Sequence, residues 1–309
     1  MGNVLKPHTE DPLSFTYEPL LSSPNNEDLR VFSVTELKKA TNNFRKGRVV
    51  NEEDGSIRTF YKGSIEDTSS RTKARISVME CLQDSLEAIE AWKGQVESLG
   101  KHSHPNLVKF LGYCCEDRKS LLVFEYLHKG TLDHHIHGKK EMLSWATRVK
   151  IAIGTAQGLA FLHSINNSSL YFELRLHNIM LDEEYNAKLF YLETKKNYLE
   201  RPRRLDKGLA YMPLECLMSG SFQMDTDVFA FGVILLELFT GLKTKRLLEV
   251  RKTRPLLFTE KLDPRLGSDY PVTAAMEMST LIERCTGDKG TRPSMQQVLD
   301  VLNSITEIN

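Results

Sequence analysis

The sequence lacks several features that would point to particular classes of protein. It has no excess charge of either sign, since 41 Lys and Arg residues balance 41 Asp and Glu residues. The whole molecule therefore has no electrostatic bias toward nucleic acid or an anionic surface. Its five cysteines are odd in number and form no CxxC pair, which argues against a cysteine metal site and fits a reducing compartment.

Long apolar runs are also missing. The longest, residues 228–240, is about half the length of a bilayer-spanning helix and contains Glu237, so we predict a buried core helix there. Residues 1–26 show no secretory-signal pattern, because they are rich in Pro, Ser, Asn and acidic residues. We therefore expect an intracellular protein.

The N-terminal segment, residues 1–30, shows neither helical nor alternating periodicity and contains several prolines. This composition predicts disorder, followed by an ordered domain over residues 31–309. Ser33 and Glu36 have the spacing of a capping box, and Phe32 is placed to pack against Leu37. A short helix up to about residue 43 follows from these signals.

A series of strand patterns extends from there to Tyr126, with one helix among them. The helix is expected near residues 86–100, with Ala88, Trp92, Gln95 and Leu99 on one face. The expected strands are residues 49–51, 57–62, 75–81, 107–113 and 121–126.

Beyond Gly130 the apolar spacing becomes helical. Ser144 is placed to cap a helix, and later helical segments are expected near 228–240, 272–285 and 294–305. The stripe of that first helix consists of Trp145, Val149, Ala152, Ala156 and Leu159. We predict an α+β fold with two lobes: a small antiparallel sheet with one main helix over about 46–127, and a helical lobe over about 128–305.

Seven collinear phrases resemble those of protein kinases, and in particular the plant receptor-like cytoplasmic kinases. Because they keep the family's order over most of residues 32–305, the resemblance implies the bilobal kinase fold. The phrases are FSVTELKKATNNF (32–44), HPNLVKFLGYC (104–114), LLVFEYLHKGTLDHHI (121–136), LSWATRVKIAIGTAQGLAFLH (143–163), HNIMLDEEYNAKL (177–189), DVFAFGVILLELFTG (227–241) and RPSMQQVLDVL (292–302).

The phosphate-binding loop of the family departs from its pattern here. In active kinases a G-x-G-x-x-G loop covers the phosphates, because glycine lets backbone amides approach anionic oxygens closely. Only Gly55 remains within this stretch, and it is preceded by Glu52, Glu53 and Asp54. Three adjacent carboxylates would repel phosphate.

The lysine and glutamate that pair in active kinases are also replaced. The resemblance places Met79 at the position of the lysine that contacts the α- and β-phosphates. Gln95 occupies the position of the glutamate on the following helix. The two losses fit together, since removing one charge alone would leave the other uncompensated, and we expect Met79 and Gln95 to pack as a neutral pair.

The catalytic and metal-binding positions are altered as well. Glu173 stands where the family has the catalytic aspartate, and Arg175 follows at the basic position two residues on. A methylene added to a positioned carboxylate can displace it by about 1 Å and cost roughly a hundredfold in rate. Asn178, the metal-binding amide, is retained, but Tyr191 replaces the main magnesium carboxylate, and an amide alone is a poor substitute.

Positions that support the family's fold are kept. Asp227 resembles the buried aspartate that anchors the catalytic loop, and Glu215 with Arg292 resembles the buried ion pair of the C-terminal lobe. The four positions of the hydrophobic column that joins the lobes are all apolar or aromatic. They are Leu99, Phe110, Tyr171 and Leu192.

These substitutions predict a pseudokinase that acts as an adaptor or decoy and requires no cofactor. One alternative is a weak serine/threonine kinase that uses ATP and magnesium, with Glu173 as base and Asn178 holding the metal. Another is a switch that binds ATP without hydrolysis. The nucleotide positions implied by the resemblance are Gly55, Glu125, Tyr126, Leu127 and Met180.

The resemblance also implies partners and a location. We expect receptor kinases or other signalling proteins as partners, no nucleic acid, and a cytoplasmic protein at the periphery of the plasma membrane. Gly2 is the glycine that N-myristoylation requires, although Lys6 replaces the preferred Ser or Thr. A single myristoyl chain gives marginal, reversible binding, so an acylated and an unmodified N-terminus both stay open.

Overall fold

The computed structural model of the chain describes most of the sequence from Leu29 onward. No helix in this described part is long and apolar enough to span a bilayer. The described residues are 29–45, 48–51, 57–66, 73–81, 86–117, 119–138, 141–166, 174–191, 209–219, 223–243 and 261–308.

The N-terminal lobe is a six-stranded sheet with two helices packed against it. The strand order is β1-β5-β6-β4-β3-β2, and every pairing is antiparallel except that of β1 with β5. The elements are β1 (Arg30–Val31), α1 (Val34–Ala40), β2 (Arg48–Asn51), β3 (Ile57–Glu66), β4 (Lys73–Cys81), α2 (Leu86–Lys101), β5 (Phe110–Glu116) and β6 (Lys119–Glu125).

The strand β1 adds one parallel pairing to an otherwise antiparallel sheet, and its first residue, Arg30, lies at the boundary of the segment expected to be disordered. Arg30 lies opposite Gly112, and the two strands run parallel. Gly112 has a φ of 150°, and a Cβ there would lie only 1.9 Å from the Arg30 carbonyl oxygen. Two residues are too few to show an alternating pattern, so this strand could not be predicted from local periodicity. Residues 1–28 lie outside the described part.

Of the two hydrogen bonds of the predicted capping box at the start of α1, the structure shows the one accepted by Ser33. The Ser33 hydroxyl accepts a hydrogen bond from the Glu36 amide at 3.1 Å. The Glu36 carboxylate accepts from the Arg30 guanidinium at 2.5 Å. Phe32 and Leu37 lie in the same buried cluster, consistent with the predicted packing.

The second helix turns a slightly different face to the sheet from the one predicted. Trp92 and Val96 are fully buried, and Leu99 packs beside them. Gln95 is half-buried and lies at the edge of this stripe. The spacing of Trp92, Val96 and Leu99 is equally helical, so a three-four pattern alone did not decide which residue completes the face.

The C-terminal lobe is mostly helical. A small sheet in the order β7-β8-β9 lies on the side of the N-terminal lobe. The elements are β7 (Gly130–Thr131), α3 (Leu132–Ile136), α4 (Trp145–Asn166), β8 (Ile179–Leu181), β9 (Ala187–Leu189), α5 (Leu214–Ser219), α6 (Met224–Thr240), α7 (Val272–Cys285) and α8 (Met295–Glu307).

The predicted core helices are confirmed. Every residue of the apolar run 228–240 is buried within α6, including Glu237. The predicted stripe of α4, from Trp145 to Leu159, is buried in the same cluster. Ser144 accepts a hydrogen bond from the Thr147 amide at 3.2 Å and so caps α4 as expected.

A buried charge cluster ties α4 to the chain after α6. Arg148 donates to Asp263 Oδ2 at 2.8 Å and to the Leu238 carbonyl at 2.6 Å. Arg265 donates to the same carboxylate at 2.7 Å. Burial raises the pKa of the Asp263 carboxyl, but the hydrogen bonds from Arg265 and Arg148 outweigh burial, so the net pKa is lowered.

Backbone hydrogen bonds join the two lobes beside the cleft. The Val108 amide donates to the Leu189 carbonyl at 2.9 Å, and the Leu189 amide donates to the Asn106 carbonyl at 2.8 Å. These bonds fix the start of β5 against the end of β9. The segment before β5 and strand β9 are therefore in direct contact, and the cleft lies beside this contact.

Candidate nucleotide cleft

A cavity of about 640 Å³ lies between the lobes. Its size falls within the range of small-molecule sites, about 300 to 1,000 Å³. The lining residues come from the end of α1, from β3, β4 and β6, from residues 126–134 after β6, and from the β8 region. The nucleotide positions Glu125, Tyr126, Leu127 and Met180 are all part of the lining, while Gly55 lies outside the described residues.

Met79, at the position of the family's lysine, has no exposed surface. It belongs to a cluster of apolar and aromatic side chains that includes Trp92 and Val96 of α2. Such surroundings favour a thioether and penalise an ammonium ion without a nearby carboxylate. Gln95 lies on α2 between these two cluster residues, and its packing against Met79 stays a prediction.

Three aromatic rings close the inner end of the cavity. Phe190 meets Phe60 of β3 at a centroid distance of 5.8 Å and Phe124 of β6 at 5.2 Å, both edge to face. Phe124 in turn lies 5.4 Å from Phe110. The sequence analysis missed this contact, because three residues far apart in the sequence meet only when both lobes are assembled.

The metal-binding positions do not form a carboxylate site. Asn178 lines the cavity, and its backbone carbonyl accepts a hydrogen bond from the Phe190 amide at 2.8 Å. Tyr191, the residue after Phe190, packs against the core of the C-terminal lobe. Over the described residues, no three His, Cys, Asp or Glu side chains are grouped to hold a metal ion. Neither Asn178 nor Tyr191 carries a carboxylate, the group by which proteins usually hold magnesium. Glu173 lies outside the described part.

Arg175, at the basic position of the catalytic loop, is buried rather than directed to the cleft mouth. Its side chain is 4% exposed, and its guanidinium carbon lies 5.6 Å from the centre of the Tyr211 ring. The Tyr211 hydroxyl donates to the carboxylate of Glu237 in α6. Arg175 therefore has a packing role between the catalytic loop and the core.

The segment after β6 is held by charged contacts. The Glu125 carboxylate accepts from Lys188 Nζ at 2.9 Å and from the Lys109 amide at 2.8 Å. Lys62 of β3 lies 5.1 Å from the centre of the Tyr126 ring. Leu127 is nearly buried and belongs to the same apolar cluster as Met79.

The structure describes two of the four residues of the predicted hydrophobic column. Leu99 and Phe110 both pack against the cluster around Met79. Tyr171 and Leu192 lie outside the described residues, so the column is traced only through the N-terminal lobe.

The supporting positions lie in the C-terminal lobe, where Arg292 and Asp227 are buried and Glu215 is partly exposed. Arg292 Nη2 donates to Glu215 Oε1 at 2.5 Å, which joins the loop before α8 to α5. The Arg292 side chain is nearly inaccessible, and it also approaches Asp225 at 3.4 Å. Asp227 bonds His163 Nε2 of α4 at 2.9 Å. The predicted anchoring of the catalytic loop by Asp227 involves residues that lie outside the described part.

Comparison with known proteins gives a consistent result over the whole length. Residues 53–302 match the family described as protein tyrosine and serine/threonine kinase. The chain is 51% identical to the inactive serine/threonine-protein kinase BKN2 of Arabidopsis thaliana, across 100% of this chain and 99% of that protein. It is 49% identical to the inactive serine/threonine-protein kinase BKN1 of the same plant, with the same coverage.

A further relative carries a different description. The chain is 36% identical to the probable serine/threonine-protein kinase PBL10 of Arabidopsis thaliana, across 94% of this chain and 76% of that protein. Similarity therefore extends to proteins named as kinases and to proteins named as inactive ones, with higher identity to the inactive pair.

Proposed function

The chain belongs to the protein tyrosine and serine/threonine kinase family, and from this premise we propose that it is a receptor-like cytoplasmic pseudokinase, a kinase fold that transfers no phosphate. The burial of Met79 carries the proposal. An apolar side chain with no exposed surface replaces the lysine that contacts the phosphates in active members. The similarity to two proteins named as inactive kinases supports the same conclusion.

Several parts of the phosphoryl-transfer machinery are lost together. Each loss, at Met79, Tyr191 or the catalytic aspartate position held by Glu173, is expected to cost about 3 kcal/mol of transition-state stabilisation, or roughly a hundredfold in rate. Two or three such losses bring turnover close to the uncatalysed rate, even though the effects are not additive.

The retained frame suits a binding role. The Glu215–Arg292 ion pair and the buried core of α4 and α6 keep the surfaces of the C-terminal lobe in place. The protein therefore acts as an adaptor or decoy that presents kinase-like surfaces to a receptor kinase or another signalling protein. Its place is the cytoplasmic face of the plasma membrane, with a myristoylated Gly2 as a weak contact.

A phosphate-transfer assay combined with a thermal-shift titration tests the catalytic part of the proposal. The purified chain is given ATP with magnesium or manganese and a generic substrate, alongside an active relative as positive control. We expect no transfer above background. Metal-dependent stabilisation together with transfer would overturn the proposal in favour of a weak kinase with Glu173 and Asn178 in the active roles.

The open cavity beside residues 125–127 favours one second candidate, a switch that binds ATP without hydrolysis. The same titration separates it from a pure scaffold. Stabilisation by ATP that is independent of metal, with no phosphate transfer, supports the switch, whereas no stabilisation supports the scaffold.

Restoring the four altered positions tests how much of the machinery is missing. The combined variant Met79→Lys, Gln95→Glu, Glu173→Asp and Tyr191→Asp is expected to remain without robust activity, because the altered loop around Gly55 would still lack the backbone approach to phosphate. Robust activity in this variant would show that the loop is competent.

A further inference from the structure

The cavity is apolar at its inner end. Phe60, Phe124 and Phe190 form its back wall, and Met79 lies behind them in the same cluster. Phe124 is nearly inaccessible to solvent. A charged group placed against this wall would lose its hydration without gaining a hydrogen-bond partner from the rings.

The mouth of the cavity carries the opposite character. Lys62 lies on the same face of β3 as Phe60, two residues along the strand, and its ammonium sits over the Tyr126 ring. Arg45, after α1, is exposed and lines the same cavity. Lys129 lines it as well, with its ammonium 3.0 Å from the Tyr185 hydroxyl.

Acidic groups near the mouth offset this charge only in part. Glu141 lies 3.8 Å from the Lys129 ammonium and Glu183 lies 3.2 Å from His128. Among the described residues of the lining the one carboxylate is Glu125, and it is bound to Lys188. Besides Lys129, Lys62 and Arg45 are the other Lys and Arg side chains of the described lining.

This polarity is the reverse of what a metal–nucleoside triphosphate requires. In an active kinase the phosphates reach the lysine and the metal, at the end that holds Met79 and Phe190 here. We propose that the cavity binds an organic anion with a flat apolar ring system, ring inward against the phenylalanines and anionic group at the mouth beside Lys62 and Arg45, without a divalent metal.

Several contacts stabilise such a ligand. Its ring packs against the back wall of phenylalanines and beside Met180, which also lines the cavity, and aromatic and thioether groups interact favourably with a flat ring. Its anionic group forms charge-assisted hydrogen bonds with the ammonium and guanidinium at the mouth. The cavity of about 640 Å³ accommodates two or three fused or linked rings.

Two naphthalene probes that differ in one charge test this orientation. The anion is 8-anilinonaphthalene-1-sulfonate, and the neutral match is N-phenyl-1-naphthylamine, both followed by fluorescence titration of the full chain without metal. We expect saturable binding of both, with the anion tighter. Lys62→Gln should lower the affinity for the anionic probe by about three- to fivefold. A double variant with Arg45→Gln should lower it by roughly tenfold, as expected for partly exposed charge pairs.

The matched control is Lys73→Gln, which lies at the far end of the same hairpin and outside the cavity lining. It should leave the affinity for both probes unchanged, and Lys62→Gln should leave the neutral probe unchanged. Circular dichroism melting of each variant verifies that the fold is retained.

Three outcomes would overturn the proposal. They are equal affinity of the two probes, equal weakening of the anion by Lys62→Gln and Lys73→Gln, and displacement of the anion by ATP that becomes tighter when magnesium is added. The titration does not involve phosphate transfer or a partner protein, so its failure leaves the pseudokinase proposal intact, and activity in the transfer assay would not affect the probe result.

Discussion

Met79 lies in β4, within a buried cluster of apolar and aromatic side chains. Its position was identified from the sequence by the order of the surrounding phrases, because a substitution at a fixed motif position is visible without a structure. The rings of Phe60, Phe124 and Phe190 were not identified, since each is an ordinary core residue by itself. Motif positions can therefore be predicted from the sequence, whereas a contact between three separate segments depends on the assembled fold.

Introducing a charge at Met79 should be costly. Met79→Lys is expected to lower the free energy of unfolding by about 3 kcal/mol or more, because an ammonium would be buried without a partner. Met79→Leu, which nearly conserves volume, should cost less than about 1.5 kcal/mol. Urea denaturation of the two variants measures the difference. If the lysine variant were as stable as the leucine variant, a carboxylate would have to reach this site.

The buried carboxylate Asp263 should make stability sensitive to acid. Its pKa is lowered in the folded state, so its contribution is present above the unfolded value of about 3.9 and is lost as the pH falls through the folded value. Arg265→Met removes one partner and raises the folded pKa toward the unfolded value. We expect a smaller loss of unfolding free energy between pH 6 and pH 3 in this variant.

Urea titrations at several pH values in this window test the expectation. Arg284→Met, at an exposed position of α7, is the control and should keep the pH dependence of the unaltered chain. An unchanged pH dependence in Arg265→Met would mean that Arg148 alone sets the pKa of Asp263.

At the level of elements, the long helices were predicted closely, whereas the short strands β1, β7, β8 and β9 were missed. The helices α4, α6, α7 and α8 have long apolar patterns that mark them in the sequence, and Ser144 and Ser294 cap α4 and α8. The two-residue β1 is held by its pairing with β5 and by the room that Gly112 leaves, neither of which is a local signal. Local periodicity therefore predicts elements that are long enough to bury a face of their own.

The cap of α8 should have a measurable effect on stability. Ser294 and Gln297 form a reciprocal capping box, and α8 packs against α4 in the core. Ser294→Ala is expected to lower the unfolding free energy by about 1 kcal/mol. Ser304→Ala, whose exposed hydroxyl bonds the Val301 carbonyl, should change it by less than about 0.5 kcal/mol. Equal values for the two variants in urea denaturation would contradict the role of the cap.

Across the whole molecule, the bilobal kinase fold predicted from the sequence is confirmed by the described structure and by the family match. An apolar connection between the lobes was predicted through the column of Leu99 and Phe110 with Tyr171 and Leu192, but the part of Phe190 in it was not. Phe190, from the C-terminal lobe, contacts Phe60 and Phe124 of the N-terminal lobe, so the lobes share apolar packing.

The two tryptophans report on this coupling, because Trp92 lies in the N-terminal lobe and Trp145 in the C-terminal lobe. In single-tryptophan variants, Trp92→Phe and Trp145→Phe, we expect coincident unfolding in urea. Adding Phe190→Ala should cost about 2 to 4 kcal/mol and separate the two transitions, since the shared packing is lost. Transitions that still coincide would show that the backbone bonds at Val108 and Leu189 suffice to keep the lobes cooperative.

The pairing of β1 with β5 also has a consequence for solubility. An uncovered edge strand offers free amides and carbonyls to another chain, and short terminal strands are one means by which proteins prevent such contacts. A Cβ at Gly112 would collide with the Arg30 carbonyl and displace β1. We expect Gly112→Val to aggregate at concentrations where the unaltered chain stays monodisperse in light scattering. Two residues at the start of the domain would thus protect the sheet from joining that of a second copy.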